Sequence, residues 1–563
     1  MPAIEIKYYR LFSRENRLVL CLAAVLVVVN SLLLIRLGTG LALQVYSLAA
    51  AALLTICGLV LLGDKGQRIP DSIMRFVAAF LIGLLSFTAF NFILLHINSP
   101  GLTRAGNVLF FLSFFILGVT RRKQLFPALP RVTVSGANIA WIIFLSLFLS
   151  FTTAYGFLNN PRGRASRNRV RSWSFILKPG ENIPNWGWNK DKRWYLYKSP
   201  RAINDRGLPE ERLQHTGPQV FWLTLAALPT DFSVEKTAKI YKILSLLLFF
   251  CLLYSLAFIA THFFGLGIIP TAVTVFAVPF FSAINYPFFI LGRSSYAGFF
   301  TAGPTMYHSV TQLMGIIIGV AGIILFLLAV AEGRSTFLPG CLLITGSFFF
   351  KPTVFSLLAP AVFILFFLYR RVPLPSRVTG LCLLLIPPLF WHFYAAWYHI
   401  PVVKPPIAFR PFALLFHYAS RHFPPSVRQR PLLMGTLIVL FSFAVLIPIL
   451  LDRIISISPS REKAPDGIIK RAQDHIPEIF FTIILVIGVL SYALLIEAGP
   501  RMVHGNFCWG AAAGYLLFIP FLVKLMFNIK NILLRVGAFA LFTLHLWGGV
   551  YHLYRFVIRG KII

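Results

Sequence analysis

Apolar stretches of about twenty residues recur along almost the whole chain, and that recurrence limits the fold more than any other feature. A bilayer's hydrocarbon core is about 30 Å thick, and a helix rising about 1.5 Å per residue needs roughly 20 apolar residues to cross it. Candidate spans lie at 18–36, 41–62, 74–95, 106–120, 138–158, 243–262, 268–285, 309–330, 353–369, 378–397, 432–451, 476–496, 508–525 and 536–554. No strand-period segment is long enough to suggest a barrel. With 58% hydrophobic and 12% charged residues in 563, the expected fold class is an all-α polytopic membrane protein of about 13 to 14 transmembrane helices. The first apolar run follows MPAIEIKYYRLFSRENR without a small-residue cleavage site and reads as a retained span.

Lys and Arg number 52 against 18 Asp and Glu, a net charge of +34. In a soluble chain this would suggest nucleic acid, but no zinc-knuckle spacing or RNA-binding aromatic signature accompanies it. Anionic phospholipid headgroups, and a phosphorylated substrate, are the simpler partners. The six cysteines (21, 57, 251, 341, 382 and 508) fall in or beside apolar runs without paired spacing. They read as small buried hydrophobes rather than disulfides or metal ligands.

Basic residues in short loops set the orientation. Lys7, Arg10, Arg14 and Arg17 precede the first span; Lys65, Arg68 and Arg75 follow the second; Arg121, Arg122, Lys123 and Arg131 follow the fourth. The alternate connections carry little beyond Arg36 and Arg104. The N-terminus is therefore expected in the cytoplasm and a large loop, 159–242, outside. That loop holds sixteen Lys/Arg against seven acids, which the rule tolerates because loops beyond about 60 residues translocate largely regardless of charge. Alternation then places 286–308, 398–431 and 497–507 outside as well. The tail with Arg555, Arg559 and Lys561 also comes out external, against the rule.

One stretch is not a simple span. FLPGCLLITGSFFFKPTVFSLLAPAVFILFFLYRR, 337–371, is too long for one helix and holds Lys351-Pro352 near its middle. Proline lacks a backbone donor and biases the preceding residue away from helix. The pattern predicts a short helix rising part-way, a break at Lys351, and a second helix descending to Arg370 and Arg371. Broken backbone at membrane depth survives only in protein or beside a cavity, which makes Lys351 a candidate cavity residue.

Three more polar groupings are expected on the outer side. WGWNKDKRWYLYKSPRAINDRGLPEERLQHTGPQVFW, 186–222, sets Asp191, Asp205, Glu210, Glu211 and His215 among bases and aromatics. FFTAGPTMYHSVT, 299–311, brings Tyr307 and His308 to a helix entrance. IEAGPRMVHGNFCW, 496–509, gathers Glu497, Arg501, His504 and Asn506 between two spans. Each has a plainer reading: an interfacial anchor for 186–222, a cap or headgroup contact for Tyr307 and His308, snorkelling for Lys351. For Glu497 and Arg501 it is an exposed i,i+4 ion pair, worth roughly 0.3–0.5 kcal/mol, though Pro500 between them opposes a regular helix. Together they describe an outer cavity with a carboxylate base, several cations and aromatic walls. Such a cavity suits a group transfer with a phosphate leaving group. The carboxylate takes a proton from an acceptor hydroxyl, and the cations hold the departing phosphate.

The order of these stretches resembles the GT-C superfamily of integral-membrane glycosyltransferases, especially uncharacterised bacterial branches. MYHSVT is similar to a "WHNPT" pattern, with Ser309 and Val310 in place of its Asn and Pro. KPTVFSLLAP is similar to "KPSF…P", and EAGPRMVHGNFCW to "E-x-G-x-R…H-G-N-F-x-W". The resemblance covers roughly 138–526, leaving 1–137 as four N-terminal helices of unknown role and 527–563 as a C-terminal helix and tail. It implies a GT-C-like core that uses a polyprenyl-phosphate sugar donor in a bacterial inner membrane, with an envelope glycan or lipid as acceptor. The donor phosphate would lie near Lys351, Arg501 and His504. The remaining contacts to donor phosphate or sugar would come from Tyr307, His308, His215, Glu497 and Asn506. It also implies a catalytic Asp or Glu in the first large outer loop. TTAYGFLNNPRGRAS offers none, and the first acid there is Glu181; Asp191 is the first choice and Asp205 the second. Some such enzymes use a divalent cation, but no ligand cluster with recognisable spacing occurs here. Two other readings fit part of this layout: an O-antigen polymerase or ligase, and a lipid or glycan transporter.

Overall fold

The computed structural model describes residues 14–36, 40–96, 100–122, 141–149, 221, 225, 234–282, 310–368, 371–397, 407–413, 426, 429–456, 473, 475–497 and 506–553. Helices dominate. They are α1 Arg14–Arg36, α2 Leu41–Leu62, the short α3 Asp64–Gln67, α4 Ser72–His96 and α5 Pro100–Thr120. Residues 141–149 are helical. Then come α6 Val234–Phe258 with a π turn at Ile259–Phe263, α7 Ile268–Phe280, α8 Val310–Glu332, α9 Phe337–Phe350, and α10 Pro352–Ile364 with a 3-10 turn at Leu365–Leu368. The order closes with α11 Leu374–Trp397, β1 Ile407–Phe409, α12 Pro431–Phe443, α13 Leu446–Ser456, α14 Ile476–Leu494, β2 Leu495–Glu497, α15 Asn506–Phe527 and α16 Ile532–Leu553.

Among the described residues, eight helices are long and apolar enough to cross a membrane, or nine if the bent α12–α13 pair counts as one span. The chain is an all-α polytopic membrane protein. Every stretch expected to span contains helix among the described residues, and two of these stretches depart from a single straight span. α10 has 13 residues, about 20 Å of rise against a core of about 30 Å. The stretch expected as one span over 432–451 bends by 85° between α12 and α13. Pro448 explains the bend, because its ring collides with the carbonyl four residues back, at Ala444. α7 ends at Phe280, one residue past Pro279. There the Ser282 N–H donates to the His545 carbonyl at 3.2 Å. His545 Nδ1–H donates back to the Ser282 carbonyl at 2.6 Å, so α16 satisfies the polar groups that the break exposes.

α8 is the axis of the bundle, buried along its whole candidate span. The chain turns at Arg334 and α9 packs back along it: Gly322 lies against Ile344, Gly319 against Ser347 and Gly315 against Lys351. α10 then returns in the direction of α8. Val354 and Leu358 touch Gly319, and the Arg371 guanidinium donates to the Ala331 carbonyl at the far end. The expected re-entrant pair of helices, breaking at Lys351 and descending to the basic stop, is what the chain forms.

The N-terminal helices belong to this bundle. A Cβ at Gly58 would lie 1.7 Å from the Ala79 carbonyl oxygen, and one at Gly83 1.8 Å from that of Leu54, so α2 and α4 approach closely enough that only glycine fits. Leu85 of α4 lies against Gly346 of α9, and the Tyr254 hydroxyl of α6 donates to Asp71 at the start of α4 at 2.9 Å. Of the cysteines, Cys57, Cys251 and Cys341 are buried as expected, whereas Cys21 and Cys382 are exposed; all five are free thiols. Among the described residues one small sheet interrupts the helices: β1 and β2 pair antiparallel, with Ile407 opposite Glu497 and Phe409 opposite Leu495.

Candidate substrate site at the Lys351 break

Pro352 fixes the local geometry. Having no N–H, it starts α10 where a helix wastes no donor, and it forces Lys351 out of helical conformation. Lys351 holds φ −152° and ψ 95° and serves as both the C-cap of α9 and the N-cap of α10. Its N–H donates to the Ser347 carbonyl at 2.7 Å; its own carbonyl accepts from Val354 at 2.9 Å and Phe355 at 3.4 Å. The broken backbone is thus satisfied from both sides.

The Lys351 side chain is 5% exposed, which excludes a snorkelling lysine. Its Nζ stands 5.7 Å from the centroid of the Trp509 ring, within cation–π range. Trp509 sits in the first turn of α15, and its carbonyl accepts a bond from Gln312 Nε2 at 3.1 Å. Gln312 is fully buried in the first turn of α8. Its Oε1 and the Thr353 hydroxyl are buried with no hydrogen-bond partner among the described residues. Across from Lys351 lies Gly315, where a Cβ would come within 2.4 Å of the lysine Cβ.

Three helix starts therefore meet here. α8 and α10 begin beside Lys351, and α15 begins beside Trp509; all three run the same way. Their far ends also meet, since Arg371 beyond α10 reaches Ala331 of α8, and Phe264, next to the π turn, stacks on Phe521 of α15. Each helix start carries roughly half a positive charge and unpaired N–H groups. Lys351 adds its ammonium group to the same point. It lies five residues inside the start of α8, a depth of about 7–8 Å. What such a place can do is hold an anion, a phosphate above all.

A second polar group occupies the opposite end of α8. His262 Nε2 lies 2.5 Å from Glu332 Oε1. Arg334 Nε donates to Glu332 Oε2 at 2.6 Å and its Nη1 to the Arg68 carbonyl at 2.6 Å. Nearby, Asp71 caps α4 by accepting from the Met74 N–H at 2.7 Å. Complete burial pushes the Asp71 carboxyl up to about 6, although the Met74 and Tyr254 bonds pull the other way.

Of the residues expected at the site, Lys351 is buried at the helix break. Asn506 is the first residue of α15, within one turn of Trp509. Glu497 ends β2, in extended backbone. Asp191, Asp205, His215, Tyr307, His308, Arg501 and His504 lie outside the described residues, as do 159–220 of the large loop. No group of three or more His, Cys, Asp or Glu able to hold a metal occurs among the described residues. Gln312, Gly315, Thr353 and Trp509 escaped the sequence reading. Gln312 left a signal: it is the one amide in α8, and only apolar residues follow it until Glu332.

Fold and site together define a polytopic α-helical membrane protein with a buried lysine at a helix break, at the end of the bundle where α8, α10 and α15 begin. No protein-family model, no curated protein and no solved structure matches the chain.

Proposed function

We propose that this protein is a membrane glycosyltransferase of the GT-C kind. It moves a sugar from a polyprenyl-phosphate donor to an envelope glycan or lipid acceptor, on the outer side of a bacterial inner membrane, with its N-terminus in the cytoplasm. One observation carries the reading: Lys351, buried at a helix break, points over Trp509 where three helix starts converge. That arrangement suits a lipid phosphate arriving from the bilayer.

In this scheme Asp191, or failing it Asp205, takes the proton of an acceptor hydroxyl. The acceptor oxygen forms a bond to the anomeric carbon as the bond from that carbon to phosphate breaks. Lys351, Arg501 and His504 balance the charge left on the polyprenyl phosphate, and Thr353 and Asn506 add polar contacts to it. Glu497, Tyr307, His308 and His215 line the sugar side.

The test is transfer from a polyprenyl-phosphate-linked sugar in proteoliposomes, with and without magnesium. Lys351→Met is expected to lose at least tenfold in transfer while unfolding at a similar temperature, and Lys351→Arg to retain part of it. Full transfer by Asp191→Asn would remove the named base, and full transfer by Lys351→Met would remove the site.

A transporter is the second reading. The 85° bend between α12 and α13 adds a second broken helix to the one at Lys351, and broken helices recur where transporters bind their cargo. Movement of a labelled lipid-linked sugar across the bilayer, without transfer to an acceptor, would favour it.

A further inference from the structure

The outer flank of α14 carries an exposed stripe at helical spacing, Thr482, Val486 and Leu490. One turn further on, the stripe would reach Ala493 and Leu494, and there another part of the chain covers it. The Arg410 N–H donates to the Leu494 carbonyl at 2.9 Å and the Phe412 N–H to the Ala493 carbonyl at 2.5 Å. β1 runs on from there along β2. α14 packs antiparallel to α15, with Glu478 bonded to Lys524 at one end, so this covering segment sits at the Lys351 end of the bundle.

The segment turns apolar side chains outward. Ile407 is 66% exposed, Phe409 68% and Phe412 48%. Ala408, between the first two, faces the other way and packs on the core, as strand alternation requires. Phe412 holds φ +61°, a left-handed conformation that costs a bulky residue on the order of 1–2 kcal/mol. Arg410, also exposed, lies between the two phenylalanines. A two-stranded pair this short is not stable by itself in water, and exposed apolar side chains at its tip make it less so.

We propose that residues 407–412 dip into the phospholipid leaflet at the Lys351 end. Ile407, Phe409 and Phe412 sit among acyl chains, and Arg410 lies against the phosphate groups. Three features favour lipid over a protein partner. The segment continues the lipid-facing stripe of α14, its apolar tips flank a single cation, and its level is that of a span's last turn. Its consequence is positional. β1 holds Glu497 in register, and Glu497 begins the connection to Asn506 and Trp509. The leaflet thereby acts on the strand pair that leads into that connection.

Full-length protein carrying 4-trifluoromethyl-phenylalanine at position 409 would be placed in nanodiscs of phosphatidylethanolamine and phosphatidylglycerol, where both faces are open. Fluorine relaxation is then compared in dissolved oxygen, which concentrates in hydrocarbon, and in a water-soluble gadolinium chelate. The same label at Phe393, 68% exposed on α11, serves as the lipid reference, and at Phe480, 0% exposed, as the protein-buried one. Position 409 is expected to follow 393, with oxygen relaxing it several-fold more than the chelate. A response dominated by the chelate would put the tip in water, and protection from both agents, as at 480, would put it under protein. Either result overturns the proposal.

Discussion

Lys351 and Gly315 are locked together: a Cβ on the glycine would lie 2.4 Å from the lysine Cβ and 3.3 Å from its backbone nitrogen. The break in the re-entrant pair can sit this deep only because α8 has no side chain there. Gly315→Ala is therefore expected to push the break away from α8. Overpacking of this kind costs about 1–3 kcal/mol, and the lysine would lose its place over Trp509. Gly537→Ala, on α16 with nothing within 4 Å of its Cβ, is the control. It should be neutral or stabilising by about 0.5–1 kcal/mol. Thermal unfolding in detergent, beside sugar transfer in liposomes, checks both; a Gly315→Ala protein as stable and active as the parent would show that the contact does not hold the break.

Gln312 separates function from stability. Its amide nitrogen is bonded to the Trp509 carbonyl, but its oxygen is buried without a partner among the described residues. An unsatisfied buried acceptor costs about 1–3 kcal/mol. Gln312→Leu removes that cost together with one hydrogen bond worth about 1 kcal/mol, so the melting temperature should stay level or rise. If the oxygen serves a ligand, transfer should fall at least tenfold and the donor KM should rise. A variant that melts lower with unchanged transfer would assign Gln312 a purely structural role.

How much of this was legible follows from the range of each cause. The Lys351 break was, because Pro352 acts on its own neighbour through covalent geometry. The bend after α12 has an equally local cause in Pro448, but an apolar count over 432–451 sees only length. Gly315 and Trp509 were not legible as partners of Lys351. Their meeting depends on how α8, α10 and α15 rotate against one another, which no local pattern encodes. Asp71 reads as a loop acid between Pro70 and Ser72, and only Tyr254, 183 residues away, makes it a buried cap.

The far end of α8 should act as a mechanical anchor for the re-entrant pair. Glu332 joins His262 of the π turn to Arg334, which reaches the Arg68 carbonyl, while Arg371 closes the return of α10. Glu332 and its partners are partly shielded, with side chains 22–30% exposed. Glu332→Gln keeps the shape but removes the charge, and a loss of about 1–2 kcal/mol is expected for hydrogen bonds to a charged group. Hydrogen exchange should rise first in residues 333–337 and 365–372. Unchanged exchange there would detach the anchor from the hairpin.

Asp71 predicts an inverted pH dependence. Its carboxyl, ordinarily near 3.8, is raised by burial to about 6 in the folded protein. Between those values the folded state binds the proton that the unfolded chain has released, so stability falls as pH rises. The contribution is fully favourable below about 4 and is lost by the time pH passes about 6; the displacement corresponds to at most roughly 3 kcal/mol. Acid-driven unfolding of other carboxylates runs the opposite way, so the difference from a variant isolates this group. Asp71→Asn keeps a capping oxygen for Met74 and turns an amide N–H toward Tyr254, whose hydroxyl then accepts instead of donating. Relative to the parent it should gain little stability at pH 4 and most of the expected amount at pH 7, measured by thermal unfolding in one detergent. A difference that stays constant from pH 4 to 7 would mean that Asp71 does not titrate in that window.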